Sequence, residues 1–190
     1  MFIKNWKKEI LTIPNLLSLF RMVLIPAYMV IYLGATERPQ FFAAGIILSV
    51  SCLTDALDGW VARRFNMIST VGKILDPLAD KMTQFTLTLC LSLKYPALVP
   101  VLALFIVKEF FQVVVGIINL RRGKILPGAL MAGKVCTAVL FVSLTAMVIM
   151  PTMDPRVVDI IAFTDGLFLI VSLVSYGFAY MGKSGTMQDL

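Results

Sequence analysis

The chain is expected to fold as an all-α integral membrane protein, with six transmembrane helices preceded by a short amphipathic helix lying in the interface. Three observations point there. Of its 190 residues, 59% are hydrophobic and only 15% charged, and the mean hydropathy is +0.90, too apolar for an ordinary water-soluble domain. The apolar residues follow one another consecutively rather than alternately, which excludes the strands of a transmembrane β-barrel. Cut at its Pro, Gly and charged clusters, the chain yields six stretches of about 20 residues, the length a helix needs to cross the hydrocarbon core.

Residues 2–12 mix Phe2, Ile3, Trp6, Ile10 and Leu11 with Lys4, Lys7 and Lys8, a pattern suited to the inner interface. Pro14 then opens the first span, 14–33. A basic start before an apolar run also fits a signal peptide, with Gly34 and Ala35 near a cleavage position, but the length of the run and Arg21 within it favour a retained helix. The remaining spans are expected at 41–64, 73–94, 97–121, 128–150 and 157–181. Pro39, Pro96 and Pro151 fall in the outer connections, and Pro127 and Gly128 precede the fifth helix after the basic turn RRGK. No internal repeat is evident, the tail GKSGTMQDL is short and polar, and a single membrane domain over 1–190 is expected.

Charge orients this bundle. With the amino terminus inside, Lys4, Lys7, Lys8, Arg63, Arg64, Lys73, Arg121, Arg122, Lys124 and Lys183 fall on the cytoplasmic side, against Arg38, Lys94 and Arg156 outside. Both termini are therefore expected in the cytoplasm of a cell with an inner (cytoplasmic) membrane. The formal net charge of +6 is accounted for by this bias and by the anionic inner leaflet, so the bilayer and not nucleic acid is the expected partner. Cys52, Cys90 and Cys136 are odd in number and lie within spans, which reads as buried free thiols without disulfides or zinc. The chain has no histidine, so a general base must be a carboxylate or a less usual group.

Four aspartates sit where lipid tolerates few charges. Asp55 and Asp58 are three residues apart and Asp76 and Asp80 four apart, so each pair shares one helical face. Two lysines, Lys73 and Lys81, cannot offset four carboxylates, whereas two such helices facing one another form an all-oxygen site suited to Mg²⁺ or Mn²⁺. With both termini inside, all four lie near the cytoplasmic face.

Read in full, the segment from Asp55 to Asp80 is D-x2-D-G-x2-A-R-x8-G-x3-D-x3-D, with Gly59, Ala62, Arg63 and Gly72 at the intermediate positions. The chain thereby resembles the CDP-alcohol phosphotransferase family. The resemblance implies a six-helix membrane enzyme in which an alcohol attacks the phosphorus nearest the lipid of a CDP-linked substrate, releasing CMP. It implies two divalent ions on Asp55, Asp58, Asp76 and Asp80, with Asp80 as the general base. Gly59 and Gly72 allow close approach of backbone or nucleotide, Arg63 offers a planar fork of donors to phosphate, and Ser69 maps to a nucleotide-lipid contact.

Outside that motif, TIPNLLSLFRMVLIP, from Thr12 to Pro26, is similar to the opening of bacterial phosphatidylglycerophosphate synthases, which use glycerol 3-phosphate. This resemblance sets Asn15 near the nucleotide and makes Arg21, two turns into the first span, a candidate for acceptor binding. The second half departs from that branch. In KEFFQVVVG, Lys108 stands where the branch carries the arginine of R-E-F, and Gly116 where it carries a second arginine eight residues on. Lys108 keeps the charge without the bidentate geometry. In GKVCT, Lys134 is a further acceptor candidate. Glu109 is expected to pair with Lys108, and Asp165 has no assigned role.

The expected reaction is phosphatidyl transfer from CDP-diacylglycerol to a small phosphorylated or lipid alcohol, with glycerol 3-phosphate favoured. A cardiolipin synthase-like enzyme or an inositol-phosphate or serine transferase are the alternatives within the family, and a homodimer is compatible with the chain. A divalent-cation transporter is the alternative outside it, although such a protein should distribute acidic residues through the full bilayer thickness.

Overall fold

The structure is a computed structural model that describes residues 12–64, 72–121, 130–150 and 152–182, with the backbone alone at several helical positions that include Asp55, Asp58, Gly59, Arg63 and Lys73. The described residues form six α-helices and one 3₁₀ turn. These are α1 (Ile13–Gly34), α2 (Arg38–Arg64), α3 (Gly72–Lys94), the 3₁₀ turn Pro96–Leu98, α4 (Val99–Arg121), α5 (Met131–Ile149) and α6 (Pro155–Gly182). Each expected span coincides with one helix to within three residues over the described chain. The expected interfacial helix at 2–12 lies outside the described residues, apart from Thr12.

Local chemistry explains the helix ends. Pro14 near the start of α1 fits a position whose amide has no intrahelical acceptor. At the start of α2 the Gln40 carboxamide oxygen accepts from the backbone N–H of Thr36 at 2.6 Å and of Glu37 at 3.1 Å. Asp154 accepts from the N–H of Arg156 at 2.8 Å ahead of α6, with Pro155 in the first turn.

The distribution of polarity is that of a protein dissolved in lipid. Val30, Phe110, Phe163 and Phe178 are each at least 70% exposed, while Asn15, Ser18, Arg21, Gln84, Lys108, Asp165 and Ser172 are buried. In water that arrangement would be an aggregation hazard; against acyl chains it costs nothing, and polar side chains serve between helices. Among the described residues four stretches, Asn15–Gly34, Pro96–Asn119, Met131–Ile149 and Pro155–Tyr180, are long and apolar enough to cross a membrane. The chain is a multi-pass membrane protein. α3, which carries Asp76 and Asp80, is more charged and does not reach that composition over its described residues.

The described residues group into two compact units, divided at Cys90 and around the last turn of α5. In the first, α1 and α2 form a hairpin and pack along each other. Tyr32 of α1 meets Phe41 of α2 edge to face, ring centroids 5.6 Å apart, and stacks on Tyr28 at 5.5 Å. A narrow cleft lined by Leu24 and Tyr28 of α1, Ile47 and Ser51 of α2, and Thr83 and Leu87 of α3 shows that all three helices converge. In the second unit α4 packs on α6, and α5 runs antiparallel to α6, as the pairs Ser143 with Asp165 and Gly133 with Tyr176 show.

Candidate functional site

The two aspartate pairs occupy the same end of the first unit. Ser51 and Thr83 border the cleft shared by α1, α2 and α3. Asp55 follows Ser51 by about one turn along α2, and Asp80 precedes Thr83 by about one turn on α3. Both pairs thus lie on the side of the cleft toward residues 65–71, which join the two helices. Asp76 and Asp80 are partly exposed on α3. Pro77 between them has no N–H and so breaks the bonding of the first turn next to the carboxylates.

α1 supplies what holds them. Ser18 Oγ donates to Asp76 Oδ1, and Arg21 Nη1 donates to Asp80 Oδ1 in an ion pair. Asn15, Ser18 and Arg21 are three residues apart in turn, on one face of α1, and are exposed by 1%, 0% and 2%. The side chain of Asp80, by contrast, is 48% exposed. A buried guanidinium therefore meets a carboxylate on a partly exposed side chain. Sequence reasoning named Asn15 and Arg21 and passed over Ser18. The signal was present in the three-residue spacing of polar residues through an otherwise apolar run.

Other expected site residues divide by what the structure describes. Gly72 is buried at the start of α3. Asp55, Asp58, Gly59 and Arg63 lie on the last turns of α2, with side chains outside the described residues, and Ser69 lies wholly outside them. In the second unit Lys108 is 3% exposed, and its Nζ sits 2.6 Å from Oε1 of Glu109, the pairing expected from sequence. Lys134 is exposed on the first turn of α5. A Cβ at Gly116 would meet nothing within 4 Å, so packing does not exclude a larger side chain at that position. Asp165 gains a partner as well: both its oxygens lie near Ser143 Oγ, at 2.9 and 2.7 Å. It is fully buried, and the bond ties α6 to α5.

Among the described residues no group of three or more His, Cys, Asp and Glu side chains gathers as a metal site. The two carboxylates of α3 are nonetheless hard oxygen donors, presented one turn apart, and suit Mg²⁺ or Mn²⁺ as far as they go.

The first unit of this multi-pass helical membrane protein thus carries the backbone of two aspartate pairs toward one end. The chain belongs to the CDP-alcohol phosphatidyltransferase family, whose model matches residues 11–176. It is also similar to the proteins named CDP-diacylglycerol--glycerol-3-phosphate 3-phosphatidyltransferase of Escherichia coli, Shigella flexneri and Shigella sonnei. Each is 49% identical over 71 residues, a stretch that spans 37% of this chain and 38% of the relative.

Proposed function

We propose that the protein transfers a phosphatidyl group from CDP-diacylglycerol to an alcohol, with glycerol 3-phosphate as the acceptor and phosphatidylglycerophosphate and CMP as products. The observation that carries this reading is the placement of Asp76 and Asp80, one turn apart and partly exposed on α3, in a chain of this family. The similarity to glycerol 3-phosphate enzymes favours that acceptor.

In this reading Asp80 takes the proton from the acceptor hydroxyl as its oxygen attacks the phosphorus next to the diacylglycerol. The bond from that phosphorus to the CMP oxygen breaks, and the electron pair leaves with CMP. Asp55, Asp58, Asp76 and Asp80 would hold Mg²⁺ or Mn²⁺, two ions in all, which would neutralise the diphosphate and the charge growing on CMP. Gly59 and Gly72 leave room for the nucleotide, and Arg63, Ser69 and Asn15 bind it and its phosphates. Lys108, Lys134 and Arg21 are the candidates for the acceptor phosphate. Six membrane-spanning helices with both termini and the site on the cytoplasmic side agree with the excess of lysine and arginine there.

Membrane vesicles carrying the protein are expected to release CMP from CDP-diacylglycerol only when glycerol 3-phosphate and Mg²⁺ or Mn²⁺ are both present, and to stop when EDTA is added. CMP release that requires phosphatidylglycerol, inositol phosphate or serine instead would overturn the acceptor while leaving the reaction class standing. Lys108→Met and Lys134→Met are expected to raise KM for glycerol 3-phosphate without changing KM for the nucleotide-lipid. For Lys108, which is buried, a charge-assisted bond of about 1.5 to 3 kcal/mol corresponds to a rise of roughly 10- to 150-fold, and the rise is expected to be smaller for the exposed Lys134.

A further inference from the structure

The first helix reaches the carboxylates of the third through two polar side chains, Ser18, which the reaction as described leaves without a task, and Arg21. α1 and α3 run parallel here, since Ser18 meets Asp76 and Arg21 meets Asp80 in the same chain order. The three-residue step on α1 rises about 4.5 Å and the four-residue step on α3 about 6 Å. The longer reach of arginine spans the difference. Ser18 is fully buried and Arg21 nearly so, so neither can turn away to solvent, whereas the Asp80 side chain is 48% exposed. In each contact one carboxylate oxygen, Oδ1, accepts the bond. A carboxylate has a second oxygen, and fixing the first aims the second.

We propose that Ser18 and Arg21 are positioning residues, which hold Asp76 and Asp80 from α1 in the rotamers that serve cation binding and proton transfer. This rests on the metal-dependent reading of the site given above. It differs from an acceptor role for Arg21, because the guanidinium then acts through Asp80 and not on the substrate. Partners behind a metal ligand change affinity or activity by about 10- to 100-fold when removed, because the ligand loses its preset orientation.

The test uses the full chain purified in detergent, with Mn²⁺ binding followed by electron paramagnetic resonance without either substrate, and CMP release measured separately. Ser18→Ala is expected to weaken Mn²⁺ binding about 10- to 100-fold. Ser18→Cys, which keeps the volume but replaces a strong donor with a weak one, is expected to follow it. Arg21→Gln is expected to lower kcat by a similar factor with both KM values unchanged, and Arg21→Lys to recover part of the loss. Wild-type Mn²⁺ affinity in both Ser18 variants would reduce Ser18 to helix packing and overturn its role. A raised KM for the acceptor with kcat retained in Arg21→Gln would make the guanidinium a substrate contact. Where Arg21→Gln does not fold, the Ser18 pair decides. If the wild-type protein itself binds no Mn²⁺ and turns over in EDTA, the metal reading falls and this proposal with it, an outcome distinct from unchanged binding in the variants.

Discussion

Asp80→Asn is expected to reduce CMP release by about 10³-fold, the scale on which a positioned general base contributes. The amide keeps an oxygen that can accept from Arg21 Nη1, so the contact between α1 and α3 is preserved while the proton acceptor is lost. Thermal unfolding in detergent should show a lowered midpoint, because the buried Arg21 guanidinium loses its counter-charge, so CMP release is compared on protein that is still folded. Asp76→Asn is the companion: its oxygen can still accept from Ser18, and its loss should be recovered in part by higher Mn²⁺, whereas that of Asp80→Asn should not. A variant Asp80→Asn that releases CMP at nearly the wild-type rate would remove Asp80 as the base.

Gly133→Ala is expected to be the most destabilising glycine-to-alanine change among the described glycines of the second unit. The new Cβ would lie 2.6 Å from Tyr176 Oη, 2.8 Å from its Cε2 and 3.1 Å from its Cζ. The ring has little freedom to retreat. Tyr176 is 8% exposed, stacks on Tyr180 with centroids 6.1 Å apart, and Tyr180 meets Phe111 edge to face at 6.5 Å. Its hydroxyl also accepts from the N–H of Leu130 at 3.3 Å, at the entry to α5. Overpacking of this kind costs about 1 to 3 kcal/mol, and displacing the hydroxyl forfeits about 1 kcal/mol more. Thermal unfolding should show a lowered midpoint for Gly133→Ala and substantial recovery in Gly133→Ala/Tyr176→Leu. Gly116→Ala is the control, since its Cβ meets nothing within 4 Å and alanine is the better helix former. An equal loss at both glycines would show that the Tyr176 contact is not the cause.

The helices were legible because lipid imposes a strict rule: long apolar runs must satisfy their backbone internally, and prolines and charges mark where they end. That rule put α1, α4 and α6 within three residues of where they lie, and it placed Asp76 and Asp80 at the start of α3. The motif from Asp55 to Asp80 carried the family because its spacing is helical and its composition is foreign to a bilayer. Partners were less legible. Polar residues such as Ser18 and Ser143 are small and frequent, and nothing in a linear pattern says which of them meets a carboxylate. Glu109 and Lys108 were an exception, because adjacent opposite charges in an apolar helix have few other choices.

The sequence by itself determined the class of solvent, the helical segments and the four carboxylates, since each depends on local composition and helical period. Only the tertiary structure decided that Ser18 and Arg21 reach Asp76 and Asp80, that Asp165 bonds Ser143, and that Tyr176 rests on Gly133. Those pairings depend on which helix faces run alongside one another, and packing settles that at sequence separations of 58, 59, 22 and 43, at which no local period carries information.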